Sequence, residues 1–411
     1  MKIRIIKGTK QIGGCITEIC SKNSRIIIDF GEDLEESAES FELEGLTFGA
    51  SKYDAVFITH SHADHIGLIN KINKDIPVYV EEESLNIHNL SCDFCGKKRV
   101  DRKVSTFKVA DFQKRKEVNR CIFDNGVIKV SAYSTDHSSY NSCMFLIEAD
   151  GKKVLHTGDF RNHGRRKLVF ERALNTISKV DMLITEGTAL TRYTKDECHF
   201  LTEKELERKA YNIMDKYNQV FVLESSTNID RTVSFGRCAL MNDKKFVLDL
   251  FSYYINETST HYFDVDYKKI YVWRPLRYNK KPFWFRNKYL DIKTSSKIFP
   301  NFSMIVKESM LDDIKLMYDK GLLTNACLIY SMWDGYLENE SLKNFINEIS
   351  KMNIKIEKLH TSGHADIRGM KMVNNRLNPG KTIIIHTLDN SNGKKIFNNV
   401  LDVKDNQYIE V

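Results

Sequence analysis

The stretch AVFITHSHADHIG sets His60, His62, Asp64 and His65 directly after an apolar run of strand character. Three imidazoles and a carboxylate packed so closely are strongly solvated groups, and a hydrophobic core would not tolerate them together without a metal to bind. Alternation puts His60 and His62 on one side, while Asp64 and His65 swing towards a second centre, so the spacing implies two adjacent sites. Two sites need further ligands, and these stand where other apolar runs stop: His137 in STDHS, Asp159 in HTGDF and His386 in IIIHT. An isolated histidine is ordinarily a surface or hydrogen-bonded core residue. Here each one ends a β run, which brings the set to one cleft at a shared sheet edge. Two divalent ions about 3.5–4 Å apart bridge a hydroxide and lower the water pKa towards ~7, which is the chemistry of hydrolysis.

The elements that must position these residues read as short strands separated by turns: IRIIKG, CITEIC, RIIIDFG, AVFIT, VYVEE, VIKVSAYST, CMFLIEAD and KVLHTGD. Several are nearly continuous β-branched runs, as strands buried on both faces of a layered α/β domain require. Helical patterns fall at about 66–73, 203–217, 231–242 and 340–352. A second domain is expected at 201–356, built around QVFVLESS, FVLDLF and ACLIYSM. After it, KIEKLHTSGHAD and KTIIIHTLDN read as strands returning to the first domain, each ending at a histidine. Chemistry drawn from both sides of the middle piece makes that piece an insertion between 1–200 and 357–411.

At 411 residues the chain exceeds what one hydrophobic core usually supports. Hydrophobic residues make up 42% and charged residues 28%, with only five prolines and no low-complexity tract, so order is expected throughout. No secretory leader and no apolar run of about 18 residues is present, which points to a soluble, cytoplasmic protein without a membrane partner. Nine scattered cysteines fit reduced thiols better than a disulfide framework. The pair Cys92 and Cys95, with His88 and Cys121 the nearest possible partners in sequence, is by itself a weak signal for a structural zinc. A net charge of +7 permits an anionic partner without demanding one.

The order H-x-H-x-D-H after a strand, then His137, then Asp159 in T-G-D resembles the metallo-β-lactamase superfamily. That resemblance implies that His60, His62 and His137 hold one metal, that Asp64, His65 and His386 hold the other, and that Asp159 bridges them. Asp29 in RIIIDFG resembles an early family motif that supports the site from behind its ligands. A more specific resemblance, to the β-CASP nucleases and RNase J among them, covers almost the whole chain. Glu186 in LITEGT, His364 in TSGHA and His386 match the family's three ordered motifs, and SSTNIDRTVSFGRCALMNDKKFVLD resembles the opening of its inserted domain. The implied fold is an α/β metallo-β-lactamase αββα sandwich, residues 1–200 and 357–411, with an inserted β-CASP α/β domain at 201–356. Thr387 departs from the family, which often has glycine there.

The implied activity is hydrolysis of RNA phosphodiester bonds by a metal-bridging hydroxide, using two divalent ions, zinc first and manganese as the alternative. Asp64 is expected to serve the catalytic centre as well as the metal, His364 to protonate the leaving oxygen, and Glu186 to orient His364 or raise its pKa through a hydrogen bond. Ser362, Asn228 and Arg231 are expected to contact phosphate, the last at the start of a helix. Residues 267–290 hold eight Lys/Arg, eight aromatics and no acid, a mixture suited to single-stranded nucleic acid, and residues 92–121 hold ten Lys/Arg against four acids. Histidine at the position of His386 resembles the RNA-acting branch, where the DNA-acting branch usually has valine. A DNA-processing β-CASP nuclease is the alternative enzyme. An inactive nucleic-acid-binding subunit would have lost ligands, and a small-molecule thioesterase or lactamase would explain neither the insertion nor TSGHA. Nothing in the sequence fixes endonucleolytic or exonucleolytic action, or an oligomeric state.

Overall fold

The computed structural model describes residues 1–34, 41–109, 120–192, 199–259, 270–276, 289–290 and 297–411. They form two compact units, one of residues 1–200 and 363–411, the other of residues 201–362.

The first unit is two face-to-face sheets with helices outside them. One sheet has seven strands in the order Tyr408–Glu410, Lys2–Lys7, Ile16–Ser21, Ser24–Ile28, Ala55–Ile58, Val78–Glu81, Ser105–Phe107. The other has six, Lys381–Ile385, Met182–Glu186, Lys152–His156, Cys143–Ala149, Lys129–Ser134, Cys121–Asp124. Strand periodicity of two decides which side chains meet between the sheets. Ile26, Ile28 and Phe57 from the first sheet share one buried cluster with Phe145, Ile147, Val154, Ile184 and Ile383 from the second. The alternate residues face outward. Val56 and Ile58 pack beneath Ile66 and Ile69, while Leu155, Leu183 and Ile384 pack against Phe170 and Leu174 of helix Lys167–Thr176 and Met370 and Val373 of helix Ile367–Leu377. Burial on both faces explains why these strands read as unbroken apolar runs.

The second unit is a wholly parallel seven-stranded sheet, Tyr289–Leu290, Ile270–Trp273, Lys245–Asp249, Phe302–Val306, Gln219–Leu223, Ala326–Tyr330, Lys355–Lys358. Helices cover both faces. Leu206, Ala210 and Phe235 lie against Val220 and Val222, and Ile314, Leu342 and Phe345 lie on the opposite side with Phe221 and Leu223.

Two local expectations are corrected. KIEK does not return to the first unit: Lys355–Lys358 pairs with Ala326–Tyr330 and forms an edge of the second unit's sheet, and the chain re-enters the first unit only from Gly363. In place of a helix over 66–73 there are a single turn, Ala63–Ile66, and a 3₁₀ turn, Ile69–Lys71, because His62 begins the helix and the backbone must bring Asp64 and His65 back to the strand ends. Among the described residues no helix is long and apolar enough to cross a membrane.

Candidate metal centre

The strands Ser24–Ile28, Ala55–Ile58, Lys129–Ser134, Lys152–His156, Met182–Glu186 and Lys381–Ile385 all deliver polar residues from their carboxyl ends, so both sheets feed one edge. His60, His62 and His137 each offer a nitrogen within 4.8 Å of the others, as do the ligand atoms of Asp64, His65 and His386. His62 Nδ1 lies 3.1 Å from His60 Nε2 and 3.3 Å from His137 Nε2. In the second group His386 Nε2 is 3.3 Å and His65 Nε2 3.6 Å from Asp64 Oδ2. Asp159 Oδ2 stands between the groups, 3.3 Å from His65 Nε2, 3.6 Å from His386 Nε2 and 3.9 Å from both His60 Nε2 and His137 Nε2.

The rings are turned inward by what holds their other nitrogens. His137 Nδ1 donates to the Gly363 carbonyl at 2.7 Å, His65 Nδ1 pairs with Asp29 Oδ2 at 2.8 Å, His60 Nδ1 meets Thr59 Oγ1 at 3.0 Å, and His386 Nδ1 meets Thr188 Oγ1 at 2.8 Å. Fixing one imidazole nitrogen selects the tautomer whose other nitrogen carries a free lone pair. Asp29 also accepts from the Thr59 amide at 2.7 Å and from its hydroxyl, so a single carboxylate sets the strand end and a ring together. It adopts φ +61°, in the left-handed region that aspartate tolerates better than most residues. Gly31 permits the neighbouring close approach, since a Cβ there would sit 1.9 Å from the Asp64 backbone. The His137 loop is tied down by Arg166, which donates to the His137 and Ser139 carbonyls, and by the buried Arg161–Asp136 pair.

The donor set fits divalent cations. Burial and the neighbouring imidazoles hold His60 and His137 well below the usual histidine range, and burial brings His62 to about 4, so all three are neutral bases. The opposing effect of burial on Asp64 is outweighed by His65 and His386, and on Asp159 by His386 and His65, so both stay ionised. For His65, burial is overcome by Asp159, Asp64 and Asp29, a concentration of negative charge that a cation would neutralise. Its Nε2 is buried and has no hydrogen-bond partner. Deprotonated carboxylates, neutral imidazoles and inward lone pairs are what metal ligation requires.

His364 borders the cluster. Its Nδ1 lies 3.1 Å from Glu186 Oε2 and 3.7 Å from Asp159 Oδ2, with the side chain 24% exposed. Burial would lower its pKa, but Glu186 and Asp159 raise it to about 9. Glu186 is itself held by the amides of Phe160 and Ala365. His364 stands just ahead of Asp366, which caps helix Ile367–Leu377 through the Gly369 amide.

The expected phosphate contacts fare differently. Asn228 caps helix Ile229–Met241 by accepting from the Arg231 amide. Arg231 is 1% exposed, and its guanidinium is committed to Glu203, the Ser331 hydroxyl at 2.7 Å and the Thr361 carbonyl at 2.9 Å. It braces the second unit, so contact with phosphate is corrected for this residue. Ser362 is partly exposed at the end of that unit. Cys92 is buried and Cys95 exposed on helix Glu82–Cys95, with Cys92 Sγ 3.5 Å from His88 Nε2; among the described residues no metal-holding group includes a cysteine. Residues 267–269 and 277–288 of the basic aromatic segment, and 110–119 of the other basic stretch, lie outside the described residues. Thr188 and the Gly363 carbonyl were not anticipated from sequence, because neither a lone threonine nor a backbone oxygen carries a compositional signal.

A sandwich of this topology with this histidine–aspartate cluster defines a member of the metallo-β-lactamase superfamily. Residues 24–212 match the β-lactamase superfamily domain, and residues 349–391 match the Zn-dependent metallo-hydrolase RNA specificity domain. Both matches and the relatives below make the chain similar to the β-CASP, RNase J-like family of that superfamily. It is 29% identical over 177 residues to Ribonuclease J of Helicobacter pylori, covering 39% of this chain and 23% of that protein. It is 28% identical over 190 residues to an RNase J-like protein of Methanocaldococcus jannaschii, covering 44% of this chain and 41% of that one. The chain therefore spans less than half the length of either relative. A protein of unknown function from Enterococcus faecalis V583 shares the fold, with a TM-score of 0.77 over 99% of both chains at 17% identity.

Proposed function

We propose that this protein is a metal-dependent ribonuclease that hydrolyses phosphodiester bonds of single-stranded RNA. The observation that carries the reading is the convergence, at one sheet edge, of two ligand groups flanking Asp159 with the His364–Glu186 pair beside them. His60, His62 and His137 would hold one divalent ion and Asp64, His65 and His386 the other, with Asp159 shared; zinc is the first choice and manganese the alternative. Such ions, when bound, supply an activated water and neutralise charge on the phosphoryl oxygens. His364 holds the proton that the departing oxygen takes up, and Glu186 fixes the plane of that ring through Nδ1. Asp29 and Thr188 keep His65 and His386 in the tautomers that face the cluster. RNA rather than DNA is favoured by the match to an RNA specificity domain across the segment that carries His364 and His386, and by the names of the relatives.

The test is purified protein incubated with end-labelled RNA and with DNA of the same sequence, in zinc and in manganese, with products sized over time. RNA is expected to be cut at least ~10-fold faster, equivalent to about 1.4 kcal/mol in the transition state. Equal rates or faster DNA cleavage would overturn the RNA assignment. A ladder of fragments would define internal cutting, and mononucleotide release would define action from an end.

A further inference from the structure

We propose that a groove on the second unit, between helix Glu203–Lys216 and the end of the edge strand Lys355–Lys358, binds the backbone and bases of single-stranded RNA; the proposal rests on the ribonuclease reading and adds a subsite built from none of its catalytic residues. The groove has a volume of about 340 Å³. Its lining includes the exposed Lys209, Lys216 and Lys358, the half-buried Ile213 and the buried Leu359, and no carboxylate.

The arrangement follows from the two elements. Thr202 and Glu205 close a capping box that fixes where the helix begins, so Lys209, Asn212, Ile213 and Lys216 fall at one-face spacing along it, while Leu206, Ala210 and Met214 face the core. Lys358 ends a strand that has a partner on one side only among the described residues, which leaves its side chain at the sheet's edge. Neither Lys209 nor Lys216 has an ion-pair partner among the described residues. Lys358 meets Asp334 at 3.1 Å, with the two side chains 61% and 66% exposed, a surface pair that a phosphate readily displaces.

A second observation points to the same ligand. Trp333, next to Asp334, and Tyr336 are 47% and 52% exposed, with ring centroids 5.5 Å apart and nearly perpendicular. Large aromatic side chains are usually buried, and exposed rings flanking Asp334, the surface partner of Lys358, together with the groove lysines match the two chemistries a single strand offers, stacking bases and a chain of phosphates.

The experiment is anisotropy of a labelled single-stranded RNA oligonucleotide titrated with the intact protein across a salt series, comparing wild type with the Lys209→Ala, Lys216→Ala, Lys358→Ala triple variant and with Trp333→Ala. Metal content and hydrolysis of bis(p-nitrophenyl) phosphate, too small to need a strand-binding groove, are measured alongside. The triple variant is expected to bind about 10-fold more weakly at low salt, and its salt slope to fall by up to ~2, since each lost contact to a single strand removes about 0.7. Trp333→Ala should weaken binding without changing the slope, and both variants should keep metal and small-diester turnover. Wild type that cuts RNA while the triple variant keeps an unchanged affinity and slope overturns the groove alone. Groove-dependent binding without any cleavage of RNA supports the groove and overturns the nuclease reading. Wild type that neither binds nor cuts RNA, or a groove that takes a polyglutamate peptide and no RNA, overturns the groove proposal.

Discussion

Replacing Asp29 by Asn removes a charge while sparing the backbone, because asparagine also tolerates the left-handed conformation found there. The amide oxygen can still accept from the Thr59 amide, as Oδ1 does now at 2.7 Å. The amide nitrogen would then face His65 Nδ1, at the position where Oδ2 now lies at 2.8 Å. Two N–H groups cannot face each other, so the His65 proton moves to Nε2, the nitrogen that points at Asp64 and Asp159. Loss of the partner behind a histidine ligand weakens metal binding about 10- to 100-fold. That range corresponds to roughly 1.4–2.7 kcal/mol. The group of His60, His62 and His137 does not include His65, so one equivalent should weaken and the other should not. Chelator competition with zinc, followed by isothermal titration of the apoprotein, separates the two. Wild-type affinity at both sites, or equal loss at both, would refute the assignment of Asp29 as the residue that orients His65.

Asp64→Ala combined with His65→Ala should abolish hydrolysis and remove at least one equivalent of metal, and two equivalents remaining by elemental analysis would sink the ligand assignment. His364→Ala should keep both metals yet lose ~10²–10⁴-fold in kcat; a parallel fall in metal content would make His364 a ligand instead. Arg231→Met leaves Glu203 buried without its charge partner and should cost about 3–5 kcal/mol in urea unfolding. Most of that loss should return when Glu203→Gln is added, and a cost below about 1 kcal/mol would contradict a bracing role for the pair.

The strands of the first unit were legible because burial on both faces writes itself as apolar runs: RIII, AVFI and MFLI all lie within observed strands. The convergence of the histidine–aspartate cluster was legible for the opposite reason, since polar residues at the ends of such runs need an explanation. Helices were harder. Glu82–Cys95 and Lys167–Thr176 bury only a few side chains each, so their apolar periodicity is faint in the sequence. Arg231 was misread because a helix start is an anion site only when its side chains are not already occupied, and the occupant, Glu203, lies a whole helix earlier. His156 shows the reverse case: it is a histidine beside the cluster, yet it accepts from the Gly158 amide and meets Thr17, a satisfied core residue. Only the three-dimensional partners separate it from the histidines that face inward.

The discontinuity of the first unit has a consequence for biosynthesis. His60 through Asp159 leave the ribosome long before His364 and His386, with the contiguous second unit translated between them. At about 5–20 residues per second, the interval from Asp159 to His386 lasts roughly 10–50 seconds. Once Ser362 has been made the second unit has all its strands, while the first still lacks the edge strand Lys381–Ile385 and helix Ile367–Leu377. A nascent chain at that stage carries the group of His60, His62 and His137 entire, while the group of Asp64, His65 and His386 still lacks its last member. The order of the chain therefore delays completion of the second proposed ligand group, Asp64, His65 and His386, until the residues after the second unit have been made.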